Sequence, residues 1–170
     1  MKKIFYAFFP LVMLVLSSCS VQEKMNPHIF IQRLKDNYAE INIVNDEILF
    51  ETENYFCFLI DKSNNKYVLQ FETDSDGSIK KICLVAQKAV KTDNFNFVME
   101  SIIKTYSPSE DSNKIIDSLF IDDRNYFNTQ WYRYSSLITE GNLFFSVENM
   151  KISTNTDAEL SLKSNDITHP

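Results

Sequence analysis

Between Tyr55 and Ala86 the chain carries three apolar segments separated by two short polar linkers. Tyr55–Asp61 reads Tyr-Phe-Cys-Phe-Leu-Ile-Asp. Lys66–Thr73 alternates, with Tyr67, Leu69 and Phe71 on one face, and Ile79–Ala86 places Ile82, Leu84 and Ala86 together. A period of two residues belongs to extended backbone. The linkers, Lys62-Ser63-Asn64-Asn65 and Asp74-Ser75-Asp76-Gly77, have the length and composition of hairpin turns. A parallel pairing would need a crossover of a dozen or more residues. This stretch therefore commits the chain to an antiparallel meander with an apolar face to cover.

Helices supply the cover. Asn26-Pro27 is a helix start, with Asn as N-cap and Pro at the first helical position. Phe30, Ile31, Leu34 and Tyr38 then recur at helical spacing, which predicts a helix over 27–38. Asp93 is the expected cap of a second helix over 94–106, whose stripe is Phe95, Val98, Met99, Ile102, Ile103 and Tyr106. Pro108 ends it, and a short third helix is expected around 110–119. Glu47–Glu51 reads as a short strand. Gln130–Thr139 and Asn142–Ile152 form a further hairpin around Glu140-Gly141. The expected fold is α+β: an antiparallel β-sheet with helices packed on one face. Helix followed by sheet occurs twice, so a degenerate tandem duplication of a helix–sheet unit is one reading of that order.

The first nineteen residues carry a different message. Lys2 and Lys3 precede an apolar run, Ile4–Leu16, interrupted only by Pro10 and followed by Ser17, Ser18 and Cys19. A basic start, a short apolar stretch and small residues are the signs of a secretory signal peptide, and about 13 apolar residues fall short of a bilayer span of about 20. Leu16-Ser17-Ser18-Cys19 resembles the lipobox of bacterial lipoproteins. That resemblance implies a diacylglyceryl group on the Cys19 thiol, cleavage before it, and a location in the bacterial cell envelope facing away from the cytoplasm. Together with the element pattern above and the polar composition after 152, it divides the chain into a signal peptide (1–18), a lipidated tether (19–25), one α+β domain (26–152) and a polar tail (153–170). The six residues 20–25 reach at most about 20 Å, so the domain is expected close to the membrane. Removal of 1–18 leaves 15 basic and 23 acidic residues, a charge of -8. Anionic headgroups repel such a surface, so the lipid, not a basic patch, is the expected attachment.

Composition excludes several activities. The formal charge of -6 argues against a nucleic-acid partner. Gly77 and Gly141 are the only glycines, too few for a phosphate-binding loop or a dinucleotide fingerprint. His28 and His169 are the only histidines, and no zinc-ligand spacing occurs. No cofactor and no metal are expected. Glu72-Thr73-Asp74-Ser75-Asp76-Gly77 resembles the opening of an EF-hand loop, but the twelfth position is Cys83 where a bidentate Glu belongs, and a hairpin turn is the better reading. Cys57 and Cys83 sit on strands that flank a third, nearly 10 Å apart. That exceeds the reach of a disulfide, and both are read as buried thiols. Glu110-Asp111 and Asp122-Asp123 read as solvated loop charge.

The densest aromatic segment is Tyr126–Tyr134. In a strand, Trp131, Arg133 and Ser135 face one way, and Gln130, Tyr132 and Tyr134 the other. Tyr132 and Tyr134 are the candidate partner-binding surface, because amphipathic aromatics favour interfaces. The functional expectation is a lipid-anchored extracytoplasmic binding protein without catalytic turnover, with a protein or glycan partner. One alternative is a ligand pocket between helices and sheet, lined by residues such as Phe58, Phe71 and Met99. Another is an enzyme using loop carboxylates, which needs acidic side chains converging in one cleft.

Overall fold

The computed structural model describes residues 24–121 and 125–151. The signal peptide, Cys19, Asp122-Asp123 and the tail lie outside the described residues. Within them the order is α1 (Pro27–Asn37), β1 (Asn42–Glu51), β2 (Tyr55–Lys62), β3 (Asn65–Thr73), β4 (Ile79–Gln87), α2 (Thr92–Tyr106), α3 (Ser112–Ile121), β5 (Tyr126–Asn128), β6 (Tyr132–Ile138) and β7 (Asn142–Asn149). The seven strands form one sheet in the order β1-β2-β3-β4-β7-β6-β5, and every neighbouring pair is antiparallel. Two meanders, each preceded by helix, thus meet through their last strands, β4 and β7.

Local chemistry explains the elements. The Asn26 side chain accepts a hydrogen bond from the Ile29 N–H at 2.9 Å, and Pro27 opens α1. Ser63 and Asn64 both take positive φ, 53° and 64°, the two-residue turn whose twist matches antiparallel strands. The Asn64 N–H donates to Asp61 Oδ1. Gly77, at φ 79°, closes the β3–β4 turn, where a side chain would be strained. In that turn Asp74 Oδ1 accepts from the N–H groups of Asp76 and Ser78. Asp76 Oδ1 also accepts from the Ser78 N–H, so both carboxylates serve the turn's own backbone, and Asp76 Oδ2 pairs with Lys24 besides.

The cap of α2 differs from expectation. The helix starts at Thr92 with Lys91 as N-cap and no side-chain capping bond. Asp93 instead lies in the first turn, where its charge complements the exposed N–H groups. Asp111 caps α3, accepting the Lys114 N–H on Oδ1. Strand β1 is twice its expected length, with register irregularities between Ile43 and Ile48 and between Ile48 and Phe50. No single alternation runs through it, which hid its first half. The three-residue β5 was not expected.

All three helices cover the same face of the sheet. Phe30 and Leu34 of α1, Val98, Met99, Ile102 and Ile103 of α2, and Ile115 and Leu119 of α3 join one buried cluster with Ile60, Leu69, Phe71, Leu84, Phe145 and Val147 from the strands. Phe71 makes T-shaped contacts with Phe30 and Phe58 at centroid distances of 5.3 and 5.7 Å. Lys62 ends β2 under this layer, paired with Glu40 and 4.1 Å from the Phe97 ring centroid. Its ammonium is thereby compensated as its stem is buried.

Candidate interaction surface

Tyr132 and Tyr134 belong to the core. They are 7% and 0% exposed. In β6, Tyr132, Tyr134 and Ser136 are the buried residues, and the sheet register carries that assignment across from β4. Tyr134 lies opposite Val147, and Val147 opposite Ile82, both buried. Tyr106 packs its ring against Tyr132 at 5.4 Å. The Tyr134 hydroxyl lies 2.7 Å from Ser107 Oγ. Ser107 Oγ itself donates to the Ile103 carbonyl at 3.0 Å, so its single proton is used and Tyr134 is the donor. Burial raises the Tyr134 pKa. The proposed tyrosine surface is therefore corrected: bulky rings take the covered side of β6, and Arg133, Ser135 and Leu137 take the open one.

The other chemistry-bearing residues are likewise accounted for. Phe58, Phe71 and Met99 are packed within the core, not arrayed around a cavity. An open cleft of about 360 Å³ lies instead between α2 and α3, lined by Asp93, Asn96, Glu100, Asn113, Ile116 and Asp117, with Phe97 at its wall. Glu100 is engaged by Lys104 one turn on. Among the described residues no group of three or more His, Cys, Asp or Glu side chains is placed to hold a metal ion. No helix among them is long and apolar enough to cross a membrane.

Cys57 and Cys83 carry free thiols and are half-buried, not buried. They point to the helix-free side, and both lie opposite Gln70 on the intervening strand. The expected separation by one strand is therefore found, while the expected depth is not. Burial pushes both thiols up, and at Cys83 the Lys81 ammonium pulls back in part. Thiols held protonated are poor nucleophiles.

The helix-free face is where the sheet departs from the usual pattern. An antiparallel sheet covered on one side alternates apolar-in and polar-out. Here each of five strands turns an apolar residue outward at the same level, and the pairings set them side by side: Leu59 with Val68, Val68 with Val85, Val85 with Phe144, and Phe144 with Leu137. Leu137 is 51% exposed, and the other four are half-buried by their neighbours. Beside this strip run Cys57, Gln70, Cys83, Ser146 and Ser135, with Phe50 (59% exposed) and Tyr126 (56% exposed) at the two ends. A third row is charged and alternates in sign across neighbouring strands: Glu72, Lys81, Glu148, Arg133. Glu72 is bridged at 3.0 Å by Lys80, and Glu148 lies 3.9 Å from Arg133. An apolar centre with a polar, charged border is the anatomy of a protein-binding patch. The signal was present in the sequence only as isolated outward apolar residues, which are unremarkable until register aligns them.

No family model matches the chain, and no curated protein or solved structure matches it either.

Proposed function

We propose that this protein is a lipid-anchored extracytoplasmic binding protein of the bacterial cell envelope, that it binds without chemical turnover, and that its partner docks on the helix-free face of the sheet. The observation that carries the reading is the apolar strip Leu59–Val68–Val85–Phe144–Leu137, continuous across five strands and left uncovered by all three helices. The Leu16-Ser17-Ser18-Cys19 sequence supports the anchor. So does the place where the chain enters the domain. The Met25 carbonyl accepts the Ile79 N–H at 2.8 Å, which ties the last residue of the tether to the start of β4. The domain is thus held by one end of its strands, leaving a sheet face upright beside the membrane.

Two experiments on the full chain in its own host membrane test this. Cys19→Ala is expected to abolish lipid labelling and release the protein from the membrane fraction; labelling that persists overturns the anchor. A photo-crosslinking amino acid at Phe144 is expected to yield discrete protein adducts, and the same probe at Lys114, on the exposed side of α3, is expected to yield none. Adducts confined to position 114, or absent from position 144, overturn the docking face.

A further inference from the structure

We infer that the partner on the helix-free face is a second copy of this chain, packed sheet to sheet about a two-fold axis that runs parallel to the strands between β4 and β7. The inference rests on the docking face proposed above and names its occupant. β4 and β7 hold the fourth and fifth places of the seven-strand order. A two-fold there exchanges β4 with β7 of the other copy, and β3 with β6, while each row meets its own counterpart.

Two rows become self-complementary under that operation. In the charged row Glu72 meets Arg133 of the second copy, and Lys81 meets its Glu148. Every charge finds the opposite sign, because the signs alternate over four strands and the axis divides the row in half. In the apolar row Val85 meets Phe144 and Val68 meets Leu137. A two-fold contact repeats each pairing, so the border supplies four ion pairs from two kinds. Five strands at about 4.8 Å spacing and roughly eight residues at about 3.4 Å give a plan area of about 650 Å². The accessible surface of such a patch is larger than its plan, which brings it to the scale of about 800 Å² per partner in standard interfaces. Sheets of this kind pack face to face at about 30°, an angle the axis splits evenly.

The membrane selects this axis over its rival. A two-fold perpendicular to the strands would send the two copies' Met25 residues to opposite ends of the strands. Those ends are about 27 Å apart for an eight-residue strand, and the tether of residues 20–25 spans at most about 20 Å. The parallel axis keeps both Met25–Ile79 junctions at one end, so both lipids enter the same bilayer.

The test uses charge reversal in the full-length lipidated chain, with two differently tagged copies co-expressed, solubilised in excess detergent and captured through one tag. Glu72→Lys alone sets an ammonium against Arg133 of the second copy, and Arg133→Glu alone sets a carboxylate against its Glu72. Each is expected to reduce self-capture by at least about tenfold, since like charges juxtaposed at an interface cost several kcal/mol. Co-expressing the Glu72→Lys chain with the Arg133→Glu chain is expected to restore capture between them. The introduced ammonium then faces the introduced carboxylate, and the unaltered Arg133 of one chain faces the unaltered Glu72 of the other. Residues 72 and 133 lie three strands apart within one chain, so a folding defect in either variant cannot produce that recovery. Should a reversal prevent folding, the photo-crosslinker at Phe144 gives the second readout, an adduct of twice the chain mass with the Val85 peptide. Failure of the mixed pair to recover, with melting temperatures unchanged, overturns the inference. A Phe144 adduct to another protein, with no self-adduct, also overturns it while leaving the docking face standing. Absence of any Phe144 adduct overturns both.

Discussion

Ser107 and Tyr134 give a prediction whose sign depends on which hydroxyl donates. Tyr134 donates to Ser107 Oγ, and Ser107 donates to the Ile103 carbonyl. Tyr134→Phe removes one donor and leaves the Ser107 proton bonded to the Ile103 carbonyl. The expected loss is that of one neutral hydrogen bond, about 0.5–1.5 kcal/mol. Ser107→Ala strands the Tyr134 hydroxyl, on a residue 0% exposed, without an acceptor. A buried unsatisfied donor costs about 1–3 kcal/mol, and the Ile103 carbonyl keeps the Ser107 N–H at 2.7 Å. Ser107→Ala should therefore be the more costly of the two. On the Ser107→Ala background, Tyr134→Phe should be neutral or stabilising, so the cycle should show a coupling of about 1 kcal/mol or more. The assay is urea unfolding of the four variants, followed by tryptophan fluorescence and circular dichroism with shared m-values. Additive losses, or a larger loss from Tyr134→Phe, would refute the donor assignment. Tyr134→Ala, which also empties ring volume, should cost about 3–5 kcal/mol, and an effect below about 0.5 kcal/mol would return the ring to the surface.

Alkaline pH should destabilise the domain. Burial raises the pKa of Tyr67 to about 12, and those of Tyr106 and Tyr134 are raised as well. The folded state therefore keeps protons that the unfolded chain releases near pH 10, so the stabilisation is complete below about pH 10 and falls as pH rises. Each tyrosine contributes a slope of up to about 1.4 kcal/mol per pH unit, and Tyr134→Phe should flatten the decline of the urea midpoint above about pH 10. Tyr67→Phe should be neutral or stabilising by up to about 1 kcal/mol, because the buried Tyr67 oxygen has no hydrogen-bond partner among the described residues; a comparable loss of melting stability would contradict this. Ile102→Ala should cost about 2–5 kcal/mol in denaturant unfolding, as the side chain is fully buried between helix and sheet.

The sequence by itself determined most of the local elements, though not the first half of β1, the short β5 or the cap of α2. Asn26-Pro27, the apolar stripe of α2 and the linkers around Asn64 and Gly77 each act over a few residues. Caps, periods and turns are written within one turn or one hairpin, and so are legible without the fold. It also determined that Cys57 and Cys83 sit on strands separated by a third, because a meander of hairpins leaves no other neighbour order. Tertiary structure decided which side of each strand meets the helices. In β6 both alternating sets contain plausible interior residues, and only the pairing of Tyr134 with Val147, and of Val147 with Ile82, places the tyrosines under α2. The rings then bury their area and leave Arg133 in water, the arrangement that avoids desolvating a charge. Tertiary structure also made the candidate surface. Leu59, Val68, Val85, Phe144 and Leu137 are isolated outward residues on five strands, scattered over the greater part of the domain's sequence. They become one strip because a one-residue slip in any ladder would turn that strand's apolar set from the helices to solvent, and the core beneath them holds every register in place.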